Sequence, residues 1–159
     1  MKKRLGIIAV GVIVDQILKL IIFNTIGASG QTINLIPGIL QLTYVENTGA
    51  AFGFFNARLF LIIFDILIMF FIIKILLDKK YPLNDKTKTG LCLIIAGGIG
   101  NLIDRIFRGF VIDYIDITQI IDYPVFNFAD ILVVVGVILI IATIIVNTVK
   151  SQESINENV

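Results

Sequence analysis

Four long apolar stretches dominate this chain and restrict what it can become. They run over about 5–23, 59–77, 90–107 and 129–147, each close to the roughly 20 residues that a helix needs to cross a bilayer. The apolar fraction is 57% and the mean hydropathy +0.97, well above the roughly 45–50% apolar content of soluble domains. Lipid is therefore the expected solvent. With 159 residues, the chain suits one domain: a single integral membrane domain over 1–150, followed by the polar stretch "SQESINENV" (151–159), expected to be disordered. The first apolar stretch follows "MKKR" and has the outline of a signal peptide. Asp15 and Lys19 interrupt its centre, however, and no small-residue cleavage site precedes the next stretch. It is expected to be a retained span.

Basic residues orient the spans. Lys2, Lys3 and Arg4 precede the first, Lys79, Lys80, Lys86 and Lys88 crowd the link between the second and third, and Lys150 follows the fourth. The other two links offer only Arg58, Arg105 and Arg108, all near span ends. Both termini are thus expected in the cytoplasm, with 24–58 and 108–128 outside. In the first outer segment, Leu40, Leu42 and Tyr44 alternate with Gln41, Thr43 and Val45, a strand-like period. A small β-rich platform over about 31–57 is expected on the outer surface.

The chain contains no histidine and one cysteine. That excludes His-dependent triads and His-based metal sites and an internal disulfide. Acid–base chemistry near neutral pH falls to carboxylates, Lys, Tyr or the thiol of Cys92, and Cys92 lies in an apolar run where a small buried hydrophobe is the expected role. A net charge of +1 gives no case for nucleic-acid binding.

Polar residues inside or beside the spans need a reason, because ionisable groups there are expensive unless paired. Asp15 and Lys19, at i and i+4, share a helix face. They form either a mutual ion pair or a substrate contact, and Lys19 has the reach to snorkel toward the outer interface. Asp65 has no evident local partner and is expected to face the bundle. In "GGIGNLIDR" (97–105), Gly97, Gly98 and Gly100 permit close backbone approach. Asn101 and Arg105 share one face, with Asp104 beside them, and Arg105 is expected to meet a carboxylate or carbonyl. Asp113 is either a solvated loop charge or a functional acid. Asp130 is either a helix-start carboxylate or, if the helix begins at Asn127, a side chain turned into the bundle. A link of about 16 residues joins Asp113 to Asp130 on one side of the membrane, so the two can meet.

The stretches "DQILK" (15–19), "NTGAAFG" (47–53), "GGIGNLIDR" (97–105), "GFVIDY" (109–114) and "FNFAD" (126–130), in that order, make the chain resemble the lipoprotein signal peptidases (signal peptidase II), bacterial membrane aspartic peptidases. The likeness covers nearly all of 5–147. It implies a four-helix membrane bundle, all-α but for a small outward-facing β-cradle, with short extracytoplasmic helix or loop segments. It implies cleavage of prolipoproteins before the diacylglyceryl-modified cysteine, at the extracytoplasmic face of the bacterial cell membrane. By motif position, Asp113 and Asp130 are the implied catalytic pair. Asp15, Lys19, Asn47, Gly49, Gly97, Asn101, Arg105 and Asn127 are implied supporting or substrate-binding positions. Diacylglyceryl-modified prolipoprotein and membrane lipid are the implied partners, without metal, other cofactor or nucleic acid, and a monomer is expected. The competing class is a small proton-coupled transporter or accessory subunit, which would string ionisable groups across the bilayer.

Overall fold

The computed structural model describes residues 2–49, 57–78, 80 and 82–156. The four apolar stretches form helices α1 (Lys2–Ile22), α2 (Ala57–Leu77), α3 (Asp85–Phe107) and α4 (Phe128–Asn156). All four are long and apolar enough to cross a membrane. Large side chains such as Phe60, Phe64, Phe70, Phe71, Ile138 and Ile141 point outward, as lipid permits and water does not. Helix α3 is the central one: 44% of its apolar window is buried, against 6% in α2. Its start lies a turn earlier than the apolar run, because Asn84 accepts a hydrogen bond from the Thr87 amide at 2.8 Å and caps it.

Glycines let α3 and α4 touch backbone to backbone. A methyl group on Gly90 would lie 2.7 Å from the Gly136 carbonyl oxygen, and one on Gly136 would lie 2.6 Å from that of Gly90. A methyl on Gly97 would strike the Ala129 carbonyl oxygen, at the start of α4. Gly97→Ala is therefore expected to push that start outward. It should destabilise by about 1–3 kcal/mol, the usual range for overpacking, and slow any reaction depending on Asp130. Thermal unfolding in detergent measured beside turnover checks this; unchanged values in both would show that the seam yields.

Helix α1 ends in a single π-helical turn, Phe23–Gly27. There Asn24 donates to the Leu20 carbonyl at 2.8 Å and Thr25 to that of Ile21 at 2.7 Å, side-chain bonds that compete with the regular ladder. Three antiparallel strands follow in spatial order β1 (Ile33–Ile36), β2 (Leu40–Asn47) and β3 (Val111–Asp116). Gly38, at φ 76°, turns β1 into β2. Ile22, Ile26, Ile112 and Tyr114 form a core between the end of α1, the sheet and Phe128 of α4.

Strand β3 lies outside the segment, about 31–57, where the β-rich part was expected. Residues 50–56 of that segment, with most of "NTGAAFG", lie outside the described residues. Residues 151–156 were expected to be disordered, but α4 continues through Asn156. A helix already nucleated gains one backbone bond for each residue it adds.

Candidate active site

Buried charges tie together the end of the bundle that carries the sheet. Lys19 lies 3.0 Å from Asp15 and 2.9 Å from Asp104, and all three side chains are fully buried. Lys19 therefore does not snorkel; two carboxylates hold its ammonium inside. Asp104 also pairs with Arg108, which donates to Gln16 at 3.1 Å. Each acid reaches a second element. Asp15 accepts from the Ala129 amide at 3.0 Å, pinning the start of α4, and Asp104 accepts from the Ile112 amide at 3.2 Å, pinning β3.

On this frame sit two carboxylates among three asparagines. Pairing of β2 with β3 sets Asn47 opposite Val111 and Val45 opposite Asp113. The Asn47 amide then donates to Asp113 Oδ2 at 2.9 Å, and its own oxygen accepts from the Gly49 amide at 3.0 Å. Beyond β3, Phe126 bridges back to Ile115. This returns the chain to the sheet and puts Asn127 beside Asp113, where its amide donates to Oδ1 at 2.6 Å. Asn127 and Asp130 cap each other. The Asn127 backbone N–H donates to Asp130 Oδ2 at 3.0 Å, and the Asp130 N–H donates to Asn127 Oδ1 at 3.0 Å. This is a capping box with aspartate in the acid position.

Asn101 completes the set. Its amide donates to Asp130 Oδ1 at 2.8 Å, while its oxygen accepts from Lys19 at 2.8 Å and from Asn127 at 3.1 Å. An ammonium only donates, so Lys19 fixes which end of Asn101 faces Asp130.

Asp113 is 2% exposed, so it is no solvated loop charge. Burial pushes its carboxyl up to about 6, since a poorly hydrated charge is disfavoured. The Asn47 and Asn127 hydrogen bonds oppose the rise, and the charge of Asp130 adds to it. Asp130 is only partly buried and forms part of the wall of an open cavity.

Three implied supporting residues make their main contacts away from the two carboxylates. Arg105 pairs with Asp65 of α2 at 2.9 Å, which answers what Asp65 meets and satisfies the expectation of a carboxylate for Arg105. Gly97 acts through helix packing, and Gly49 approaches Leu61 of α2 at φ 72°. Gln16 was not among the expected site residues, and Arg108 had no expected partner. The spacing of Asp104 and Arg108, i and i+4, was the available signal. Arg58 donates to the Arg105 and Ile106 carbonyls at 2.7 and 2.9 Å, where orphan acceptors end α3.

A bundle of membrane-length helices with two carboxylates bridged by one asparagine at one end has a make-up that a membrane aspartic peptidase could use. The family profile described as signal peptidase (SPase) II matches residues 7–146. The chain belongs to the signal peptidase II family. It is 41% identical to a lipoprotein signal peptidase of Lactococcus lactis subsp. lactis over 152 residues, covering 91% of this chain and 96% of that protein. It is 40% identical to one of Clostridium novyi over 137 residues, covering 84% and 91%. A solved bacterial membrane enzyme superposes with a TM-score of 0.81 at 34% identity, covering 91% of this chain and 93% of the other.

Proposed function

We propose that Asp113 and Asp130 are the catalytic pair with which this lipoprotein signal peptidase cuts the bond before the diacylglyceryl-modified cysteine of a prolipoprotein. The observation that carries the assignment is their shared holder: the Asn127 side chain grips Asp113 and its backbone N–H grips Asp130. Two carboxylates so placed hold one proton between them. The ionised member takes a proton from a water between them as that water attacks the scissile carbonyl. The protonated member donates to the carbonyl oxygen, and a proton then passes to the leaving amine as the tetrahedral centre collapses. Asn47, Asn101 and Asn127 orient the carboxylates. Lys19 and Asp15 hold the frame.

The site faces the extracytoplasmic surface, and both termini face the cytoplasm. Support comes from Lys2, Lys3, Arg4, Lys86, Lys88 and Lys150, which flank the ends of the helices remote from the sheet. A signal peptide spanning the bilayer would then present its cut site where the helices open to water. A transport path is not favoured: Asp15, Lys19, Asp104 and Arg108 balance one another in a single cluster, and Asp65 pairs with Arg105.

Purified protein incubated with a diacylglyceryl-modified prolipoprotein should release a signal peptide ending one residue before the modified cysteine, read by mass analysis. An intact substrate would overturn the reading. The pH profile adds a second check. In the free enzyme, Asp113 gives up its proton as pH rises through about 6. The kcat/KM profile is therefore expected to decline there, with the limb belonging to the pair. The kcat limb should lie higher, because bound substrate excludes water from the charge. Stability has the same sign: the raised carboxyl contributes most below the ordinary value of 3.8 and loses its contribution as pH rises through about 6.

A further inference from the structure

At the end of the bundle remote from the sheet, a cavity of about 350 Å³ lies between the start of α3 and α4. Asn84, Asp85 and Lys86 stand on one side of it, and Asn147 and Lys150 on the other. Its floor is apolar, made by Leu139, Ala142 and Val146. The rim is rich in donors and short of acceptors. Asp85 is the only carboxylate among the described lining residues, and Arg4 of α1 already holds it at 3.1 Å. The Asn84 oxygen accepts from the Thr87 amide, which leaves its NH2 group free to donate outward. The Thr143 hydroxyl donates to the Leu139 carbonyl at 2.7 Å. Neither Lys86 nor Lys150 forms an ion pair among the described residues.

Two unpaired ammonium groups and nearby amide donors suit an anion with several acceptor oxygens, which is the chemistry of a phosphate. The floor decides where that phosphate comes from. A free phosphate gains nothing from Leu139, Ala142 and Val146, whereas a glycerophospholipid lays hydrocarbon on them. Val146, Ala142, Leu139 and Val135 recur at the spacing that keeps side chains on one helix face. Val146 and Val135, at the two ends of this stripe, point outward. An acyl chain laid on the floor therefore runs from the charged rim along α4 into bulk lipid.

We propose that this cavity binds an anionic glycerophospholipid of the adjacent leaflet, with its phosphate between Lys86 and Lys150 and one chain along the Val146–Val135 stripe. On the orientation proposed above this is the cytoplasmic leaflet, whose surface is negative. The bound lipid ties the start of α3 to the part of α4 that runs on to Asn156. The site lies at the opposite end of the bundle from Asp113 and Asp130, so it stands apart from the peptidase reading.

The test follows thermal unfolding of the full chain in a neutral detergent as dioleoyl phosphatidylglycerol, dioleoyl phosphatidylcholine or glycerol 3-phosphate is added. Phosphatidylglycerol is expected to raise the midpoint by about 2–4 °C, an ordinary response of a chain of this length to a ligand near saturation. The zwitterionic lipid and glycerol 3-phosphate should leave it in place. Lys86→Gln combined with Lys150→Gln should weaken the apparent affinity for phosphatidylglycerol about thirtyfold, as loss of two cations beside an anionic lipid does. Val146→Trp, which fills the floor from a half-exposed position and keeps both charges, should weaken it as well. Lys2→Gln combined with Lys3→Gln removes the same charge from the start of α1 and should leave the affinity unchanged. Equal protection by the zwitterionic lipid or by glycerol 3-phosphate overturns the site. So does wild-type affinity in the paired Lys86 and Lys150 variant or in Val146→Trp, or an equal loss in the α1 control. Should the paired variant fail to fold, Lys150→Gln alone gives the same reading at about fivefold.

Discussion

Asp113→Asn and Asp130→Asn should each slow cleavage by about a hundred- to ten-thousandfold, the range for losing a general acid or base. An amide can neither take a proton from water at neutral pH nor return one to a leaving amine. The replacements are close in shape but not silent. Both oxygens of Asp113 accept from amides, one from Asn47 and one from Asn127. Both oxygens of Asp130 accept as well, from Asn101 and from the Asn127 backbone. Asparagine keeps a single acceptor and turns an NH2 group against a donor, which costs about 1–3 kcal/mol for the unsatisfied group. Melting must therefore be measured beside turnover. A folded variant that still turns over at the wild-type rate would remove the pair from the mechanism.

Lys19→Met should be the most destabilising single change in the span region. It removes the cation lying against two fully buried carboxylates, Asp15 and Asp104. Breaking a buried pair from one side costs about 3–5 kcal/mol, because the remaining charge stays out of water. Two anchors loosen together: the Asp15 bond to the start of α4 and the Asp104 bond to β3. Asn101 also loses the donor that orients it. The distinguishing measurement is a second substitution. Adding Asp15→Asn to Lys19→Met removes one surplus negative charge, so melting in detergent should recover part of the loss. Asp15→Asn alone keeps an acceptor for the Ala129 amide and should weaken the enzyme less than either Asn variant of the pair. A Lys19→Met protein that melts like the wild type would show that this charge cluster does not hold the frame.

The helices were legible because a crossing helix writes its length into an uninterrupted apolar run, and the Asp15–Lys19 pair because its partners share a helix face. Strand β3 was not. "VIDYID" (111–116) is almost wholly buried and lacks the alternation that marks a strand with one wet face, so Asp113 was left undecided between loop and site. The partner of Asp65 was hidden for another reason: Arg105 lies 40 residues away on a different helix, and no local period connects them. Asn101 and Asn127 came from motif resemblance, while their work as paired donors required the fold. The spacing of Asn127 and Asp130 correctly allowed either a cap or an inward-facing acid. The structure makes Asp130 a cap, and the proposed chemistry uses the same carboxylate.

That double use links the reaction to the scaffold. The opening amide of α4 rests on Asp130 Oδ2, and a carboxylate grips such an amide harder than a neutral acid does. Any substitution that removes this acceptor therefore disturbs the tip of the helix and the proposed reacting group together.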